Sequence, residues 1–291
     1  MNDYLLTAIL GIVEGITEFL PISSTAHLRI TQALLGVDLK NGFWEMFAIV
    51  IQIGPILTLP IFFRERIAVW LRSFPGGTRG DRTVLTHPLT LTFISLVFTA
   101  VPALAVEKII AKHLEDVSLI AMTMIAGGIV MWVVDSMFGG LQLGITENEA
   151  AREVERMGVI RAAWIGLCQA VSGIFPGTSR SMATISGGQV CGLSRTAALE
   201  YSFLLSIPTM VAATGHDLRK ALKTSADAPP VNIDAHGWVL LLTGTVISFV
   251  VAYIVVGWFM NWVRTRGFVP FAIYRIVFGA AVLAWVFAGA K

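Results

Sequence analysis

Gly11-Ile12-Val13-Glu14-Gly15-Ile16-Thr17-Glu18-Phe19-Leu20-Pro21-Ile22-Ser23-Ser24 can be laid directly on Gly166-Leu167-Cys168-Gln169-Ala170-Val171-Ser172-Gly173-Ile174-Phe175-Pro176-Gly177-Thr178-Ser179. A glycine, a Glu or Gln, an apolar pair, a proline and two hydroxyls coincide. The apolar stretches that follow, from Phe47 and from Tyr201, keep almost the same offset. Self-similarity at a long period marks a repeated unit. The chain therefore reads as one membrane domain, 1–291, with a first copy over about 4–138, a second over about 159–289 and a connector at 139–158. Each copy opens on apolar pieces too short to cross a bilayer, 4–20 with 22–37 and 159–175 with 182–193, broken by Pro21 and Pro176. This pattern predicts two re-entrant helical hairpins, one entering from each face. Non-helical backbone at that depth survives only where protein or a wet cavity satisfies it, so the breaks point at a site where the two copies of an inverted repeat meet.

Composition agrees. Of the 291 residues 55% are hydrophobic and only 14% charged, against about 25% in a soluble domain, so a globule of this size would lack polar surface to cover itself. The net charge of +2, from 21 basic and 19 acidic residues, gives no footprint for nucleic acid. Cys168 and Cys191 lie in apolar stretches without metal-ligand spacing and read as packing residues. Asp3, Glu14 and Glu18 argue against a cleavable signal at the N-terminus.

Segments 43–63, 89–111, 117–138 and 237–260 are long and apolar enough to span a bilayer; 270–289 follows closely, and 198–215 is a shorter sixth span. The expected fold is an all-α polytopic membrane protein of about six transmembrane helices plus the two hairpins. Loops 64–88, 139–161 and 261–269 hold ten arginines, among them Arg64, Arg66, Arg152, Arg161 and Arg264, against seven Lys/Arg on the opposite side, which makes the arginine-rich side cytoplasmic. Thr146 and Glu149 fit a capping box opening a polar connector helix. Gly11 with Gly15 and Gly173 with Gly177 have GxxxG spacing, read as letting the hairpins approach each other; a homo-oligomer stays open.

The copies differ where chemistry would want them to. The first carries Glu14 and Glu18 one turn apart, then Ser23, Ser24, Thr25 and His27; the second carries Gln169 and Gly173, then Thr178, Ser179, Arg180 and Ser181. Two carboxylates on one helix face inside a membrane need a divalent cation, a shared proton or a nearby Arg. Pro176-Gly177-Thr178-Ser179-Arg180-Ser181 opens an apolar helix, and free backbone N–H groups, hydroxyls and a guanidinium at a helix N-terminus make a phosphate cradle. His27 lies in the first turn after the first break, where its ring could activate Ser24, a weak nucleophile until a base takes its proton. Nucleophile or metal-activated water, base and cationic cradle fit phosphoryl transfer, and a site between membrane helices favours a lipid-borne phosphate.

At these residues the chain resembles the undecaprenyl-diphosphatase family, the bacitracin-resistance type of integral membrane phosphatase. The resemblance rests on Glu14 to His27 and on Pro176 to Ser181 with Thr184 and Ser186-Gly187-Gly188, and on Ile51 to Gly54, Phe203 to Pro208 and Pro270 to Arg275; Pro55 departs from the family pattern. It implies hydrolysis of undecaprenyl diphosphate to the monophosphate carrier and inorganic phosphate, recycling the carrier for cell-wall synthesis and conferring bacitracin resistance. It further implies a divalent cation (Mg or Ca), a polyprenyl diphosphate lipid as partner, and a bacterial inner-membrane protein whose site faces the periplasm or outer leaflet. Carried over by position, Glu18, Ser24, His27 and Arg180 are catalytic; Glu14 and Glu18 hold the metal; and Ser23, Thr25, Gly177, Thr178, Ser179, Ser181 and Thr184 bind substrate. Whether Ser24 is phosphorylated or a cation delivers water stays open. The rival reading is a lipid-phosphate transporter or flippase that binds without hydrolysis, since broken helices in an inverted repeat also build transporters.

Overall fold

A computed structural model describes residues 2–37, 42–77, 80, 82–110, 116–139, 147–222 and 233–288. The capping Thr146 falls outside them. Thirteen helices make up the described residues: α1 (Asp3–Thr17), α2 (Ser24–Leu34), α3 (Gly42–Val50), α4 (Ile53–Phe62), α5 (Arg64–Ser73), α6 (Pro88–Ile110), α7 (Val117–Phe138), α8 (Glu147–Glu155), α9 (Val159–Ile174), α10 (Arg180–Val190), α11 (Arg195–Leu222), α12 (Ala235–Arg266) and α13 (Val269–Phe287). Six stretches are long and apolar enough to cross a membrane: Gly42–Phe62, Pro88–Val106, Val117–Phe138, Arg195–Arg219, Ala235–Arg266 and Val269–Phe287. This is an all-α, multi-pass membrane protein. By contrast α1, α2, α9 and α10 have 15, 11, 16 and 11 residues, at most about 24 Å each, short of a roughly 30 Å hydrocarbon core.

The first span is two helices, because Pro55 has no N–H to give the carbonyl of Ile51 four residues back. Ser248 Oγ of α12 donates to that carbonyl at 2.7 Å. The departure at Pro55 thus has a physical counterpart on a neighbouring helix.

Packing pairs the elements crosswise. Helix α1 lies along α12, α9 along α6, and α7 along α13. A Cβ placed on Gly128 of α7 would meet the carbonyl of Ala272, Ile276 and Arg275 of α13; one placed on Gly279 of α13 would meet the carbonyl of Ala121, Ile125 and Met124 of α7. Adding 151 to each α7 number gives its α13 counterpart. Likewise Gly11 meets Gly244 and Ile247, and Gly166 meets Ser95 and Phe98, the same contact displaced along the chain. The GxxxG glycines serve these intrachain contacts: Gly11 and Gly15 face α12 and Gly177 faces α7, so they do not bring one hairpin onto the other as the spacing suggested.

The arginine-rich loops gather at one end. Arg66 bridges Glu155 of α8 (3.0 Å) and Glu200 of α11 (2.9 Å). There, too, fully buried Asp135 at the end of α7 accepts from Arg195 (2.7 and 2.9 Å), Gln189 (3.0 Å) and the Phe268 backbone N–H (2.9 Å), tying α7, α10, α11 and the α12–α13 turn together. Asp3 and Tyr4 instead touch His236 at the start of α12, so α1 enters from the other end.

Candidate active site

Helices α2 and α10 start alike. Ser23 (φ 74°) and Ser179 (φ 71°) are the two non-glycine residues with positive φ among the described residues. Each caps its helix, Ser23 accepting from the Ala26 N–H and Ser179 from the Met182 N–H. This corrects the sequence register: past the prolines Ser23 corresponds to Ser179 and Ser24 to Arg180, because the second break holds one more residue. That residue uses Gly177, at φ 88° and so close to α7 that a Cβ would strike the Ile120 carbonyl and Thr123.

Ser24 and Arg180 open facing helices, and both reach Glu18. Ser24 Oγ donates to Glu18 Oε2 at 2.5 Å, and Arg180 Nη2 donates to Glu18 Oε1 at 3.4 Å. The carboxylate and guanidinium side chains are only 11% and 14% exposed, so little water screens the pair. Arg180 Nη1 is buried with no partner, leaving half of the guanidinium fork free for an oxygen anion. One turn before Glu18, fully buried Glu14 also has both carboxylate oxygens without a partner. Two adjacent carboxylates, one of them orphaned, are the hard oxygen donors that a Mg or Ca ion takes. Among the described residues no three His, Cys, Asp or Glu side chains converge, so further ligands would come from substrate phosphates and water. On this test the pair fits a divalent cation.

Other expected site residues stand differently. His27 does not meet the Ser24 hydroxyl: its Nδ1–H donates to the Ser23 carbonyl at 2.7 Å, and Nε2 lies 2.7 Å from the Tyr274 hydroxyl. The ring stacks on Phe278 and Tyr274 of α13, with centroids 4.5 and 5.6 Å away. A base able to activate Ser24 here is Glu18, and His27 holds the backbone one residue earlier. Thr184 is buried, its hydroxyl bonded to Ser202 of α11 (2.6 Å) and to the Arg180 carbonyl (3.0 Å), so it packs α10 against α11. Ser181 is buried and donates to the Leu20 carbonyl (3.1 Å), pinning the second helix to the first break. Thr178 is buried beside the break, whereas Thr25 is exposed and Ser24 and Ser179 are half-buried at the site's open edge.

Arg275 is the residue that spacing did not single out. Its side chain is fully buried and donates to the carbonyls of Pro21 (3.2 Å) and Gly177 (3.0 Å), one in each break, and of Met124 (3.3 Å) and Thr123 (3.4 Å) on α7. Thr123 in turn donates to the Pro176 carbonyl. A single guanidinium therefore straps both breaks to α7 and satisfies carbonyls that no helix completes. The signal was available: a charge inside the apolar 270–289 run demands buried partners.

Glu18, Ser24 and Arg180 thus come together where the two breaks approach, an arrangement that could hold an oxygen anion. A protein from Koribacter versatilis described as undecaprenyl-diphosphatase is 58% identical over 289 residues, covering 98% of this chain and 99% of that protein. Proteins of the same description from Sorangium cellulosum and Thermus thermophilus are 41% and 38% identical, covering 94% and 96% of this chain and 84% and 95% of their own. The family model for bacitracin resistance protein BacA matches residues 7–281, and with it the chain belongs to that family.

Proposed function

We propose that the protein is a membrane hydrolase that converts undecaprenyl diphosphate to undecaprenyl phosphate and inorganic phosphate, the reaction named for its relatives. The observation that carries this reading is Glu18 placed between Ser24 and Arg180, at 2.5 and 3.4 Å. A carrier that only binds an anion needs the guanidinium; it does not need a serine hydroxyl already donating to a buried carboxylate. In this reading Arg180 exchanges Glu18 for the terminal phosphate, aided by the backbone N–H groups that open α10. Glu18 takes the Ser24 proton as Oγ attacks the terminal phosphorus. The bond between that phosphorus and the bridging oxygen breaks, undecaprenyl phosphate leaves, and water then splits the phosphoserine to release phosphate and restore Ser24. A divalent cation held by Glu14 and Glu18 would neutralise charge developing on the phosphate oxygens.

The crosswise pairs α1–α12 and α9–α6, the matched glycine contacts of α7 and α13, and the twin serine caps support an inverted repeat whose hairpins re-enter the bilayer from opposite faces. In this reading the arginine-rich end lies in the cytoplasm, the protein in the inner membrane, and the site opens toward the periplasm or outer leaflet.

The test is phosphate release from undecaprenyl diphosphate by detergent-purified protein with a divalent ion, where no gradient exists. Turnover that Ser24→Ala and Arg180→Ala abolish with the fold intact supports hydrolysis; tight binding without turnover would make the protein a carrier.

A further inference from the structure

Beside the second break lies an apolar cavity of about 480 Å³, within the size range of ligand pockets. Its walls come from α7, α9 and α10, and it begins at Phe175 and Thr178, immediately before Ser179 and Arg180. From there it follows Met182, Ala183, Ser186 and Val190 along α10, about 12 Å of helix. Its rim residues Val130, Val171, Phe175 and Val190 are 42–50% exposed, so the cavity opens sideways to the bilayer.

The corresponding place in the other copy is lined by different side chains. Past the break α2 and α10 correspond by 156 residues, as Ser23 does to Ser179, and α7 and α13 by 151, as Gly128 does to Gly279. On that mapping Ala183 takes the place of His27, Gly127 that of Phe278 and Thr123 that of Tyr274. In the first copy those three rings stack against one another and fill the space. In the second copy a methyl, a hydrogen and a threonine replace them: Gly127 leaves room for the Arg275 guanidinium and Met182, and the cavity lies beside them between α7, α9 and α10.

We infer that this groove receives the first isoprene units of the substrate's hydrocarbon chain, so that the copy carrying the phosphate clamp also carries the chain-binding slot. The inference rests on the proposed hydrolysis of a polyprenyl diphosphate for its ligand. Continuity argues for the substrate's own chain over a bulk lipid: the groove's inner end adjoins the break whose next residues hold the diphosphate.

The test compares undecaprenyl diphosphate with a C5 prenyl diphosphate, whose chain ends at the mouth of the groove. Val130→Trp and Val171→Trp place a ring in the groove from its rim; Leu242→Trp puts the same ring on the 67%-exposed lipid face of α12 as a control. The ratio of kcat/KM for the long over the short substrate is expected to fall about tenfold or more in the two groove variants and to stay at the wild-type value in the control. An unchanged ratio in the groove variants overturns the inference. A second readout needs no turnover: a diazirine-bearing C15 prenyl diphosphate is photolysed on the Ser24→Ala protein and the adducts are mapped. Adducts on α7, α9 and α10 support the slot. Adducts elsewhere, or equal labelling of the groove by a diazirine-tailed phospholipid, overturn it. Wild-type protein that releases no phosphate yet gives groove adducts overturns the hydrolysis reading and leaves the slot standing.

Discussion

Replacing Arg275 by methionine removes the strap between the two breaks while keeping the volume of its stem. Of the four carbonyls it serves, those of Thr123 and Met124 belong to α7 and keep helical partners; those of Pro21 and Gly177 lie at breaks. Each carbonyl left without a donor costs about 1–3 kcal/mol, so the loss is about 2–6 kcal/mol, and relief from burying the charge brings it toward the lower half of that range. The denaturation midpoint in detergent should fall by roughly 5–15 °C. Activity should fall further than stability alone requires, because Ser24 and Arg180 each follow one of the freed breaks and a displacement of about 1 Å can cost ~100-fold. Arg275→Lys retains the charge but not the fork that spans opposed carbonyls, and should recover stability more than turnover. The assay is phosphate release together with a melting curve on monodisperse protein. An Arg275→Met protein with wild-type melting and kcat/KM within about threefold would refute the strap.

Three further outcomes follow from the same contacts. Ser179→Gly should be neutral to stabilising, since glycine relieves a positive φ worth about 1–3 kcal/mol of strain and costs a helix cap only a few tenths, whereas Ser179→Ala should destabilise by about 1 kcal/mol; melting temperatures of the two variants decide it. Ser248→Ala should cost about 0.5–1.5 kcal/mol by removing the stronger of two donors to the Ile51 carbonyl, the Gly54 N–H (3.2 Å) being the other, and less in a Pro55→Ala background, where residue 55 can supply an N–H; a double-mutant cycle that shows simple additivity would contradict this. Chelation should suppress phosphate release, and Glu14→Gln should raise the divalent-ion concentration for half-maximal turnover by about tenfold or more, read from titrations with Mg and Ca.

Features governed by length and by backbone chemistry were legible in the letters. The six spans fall within a few residues of the described helices because a bilayer fixes how many apolar residues a crossing needs. The breaks fall at Pro21 and Pro176 because proline cannot continue the ladder. That acids stand on one hairpin and a guanidinium on the other was also legible, and Glu18 and Arg180 do meet. Partnerships across the fold were not. The one-residue slip after the prolines depends on serines at positive φ, a conformation their side chains do not announce. His27 reads as a base for Ser24 by chain distance, yet its partner Tyr274 lies 247 residues away. Thr184 and Ser181 look like a continuation of the cradle, but a helix turns them toward α11 and the Leu20 carbonyl.

The most direct test is a structure of the protein with a polyprenyl methylenediphosphonate, which cannot be hydrolysed at the bridge. The terminal phosphorus is expected within about 3–3.5 Å of Ser24 Oγ, with the Arg180 guanidinium on its oxygens. A diphosphonate held by one hairpin alone, with Ser24 out of reach of either phosphorus, would contradict the shared site.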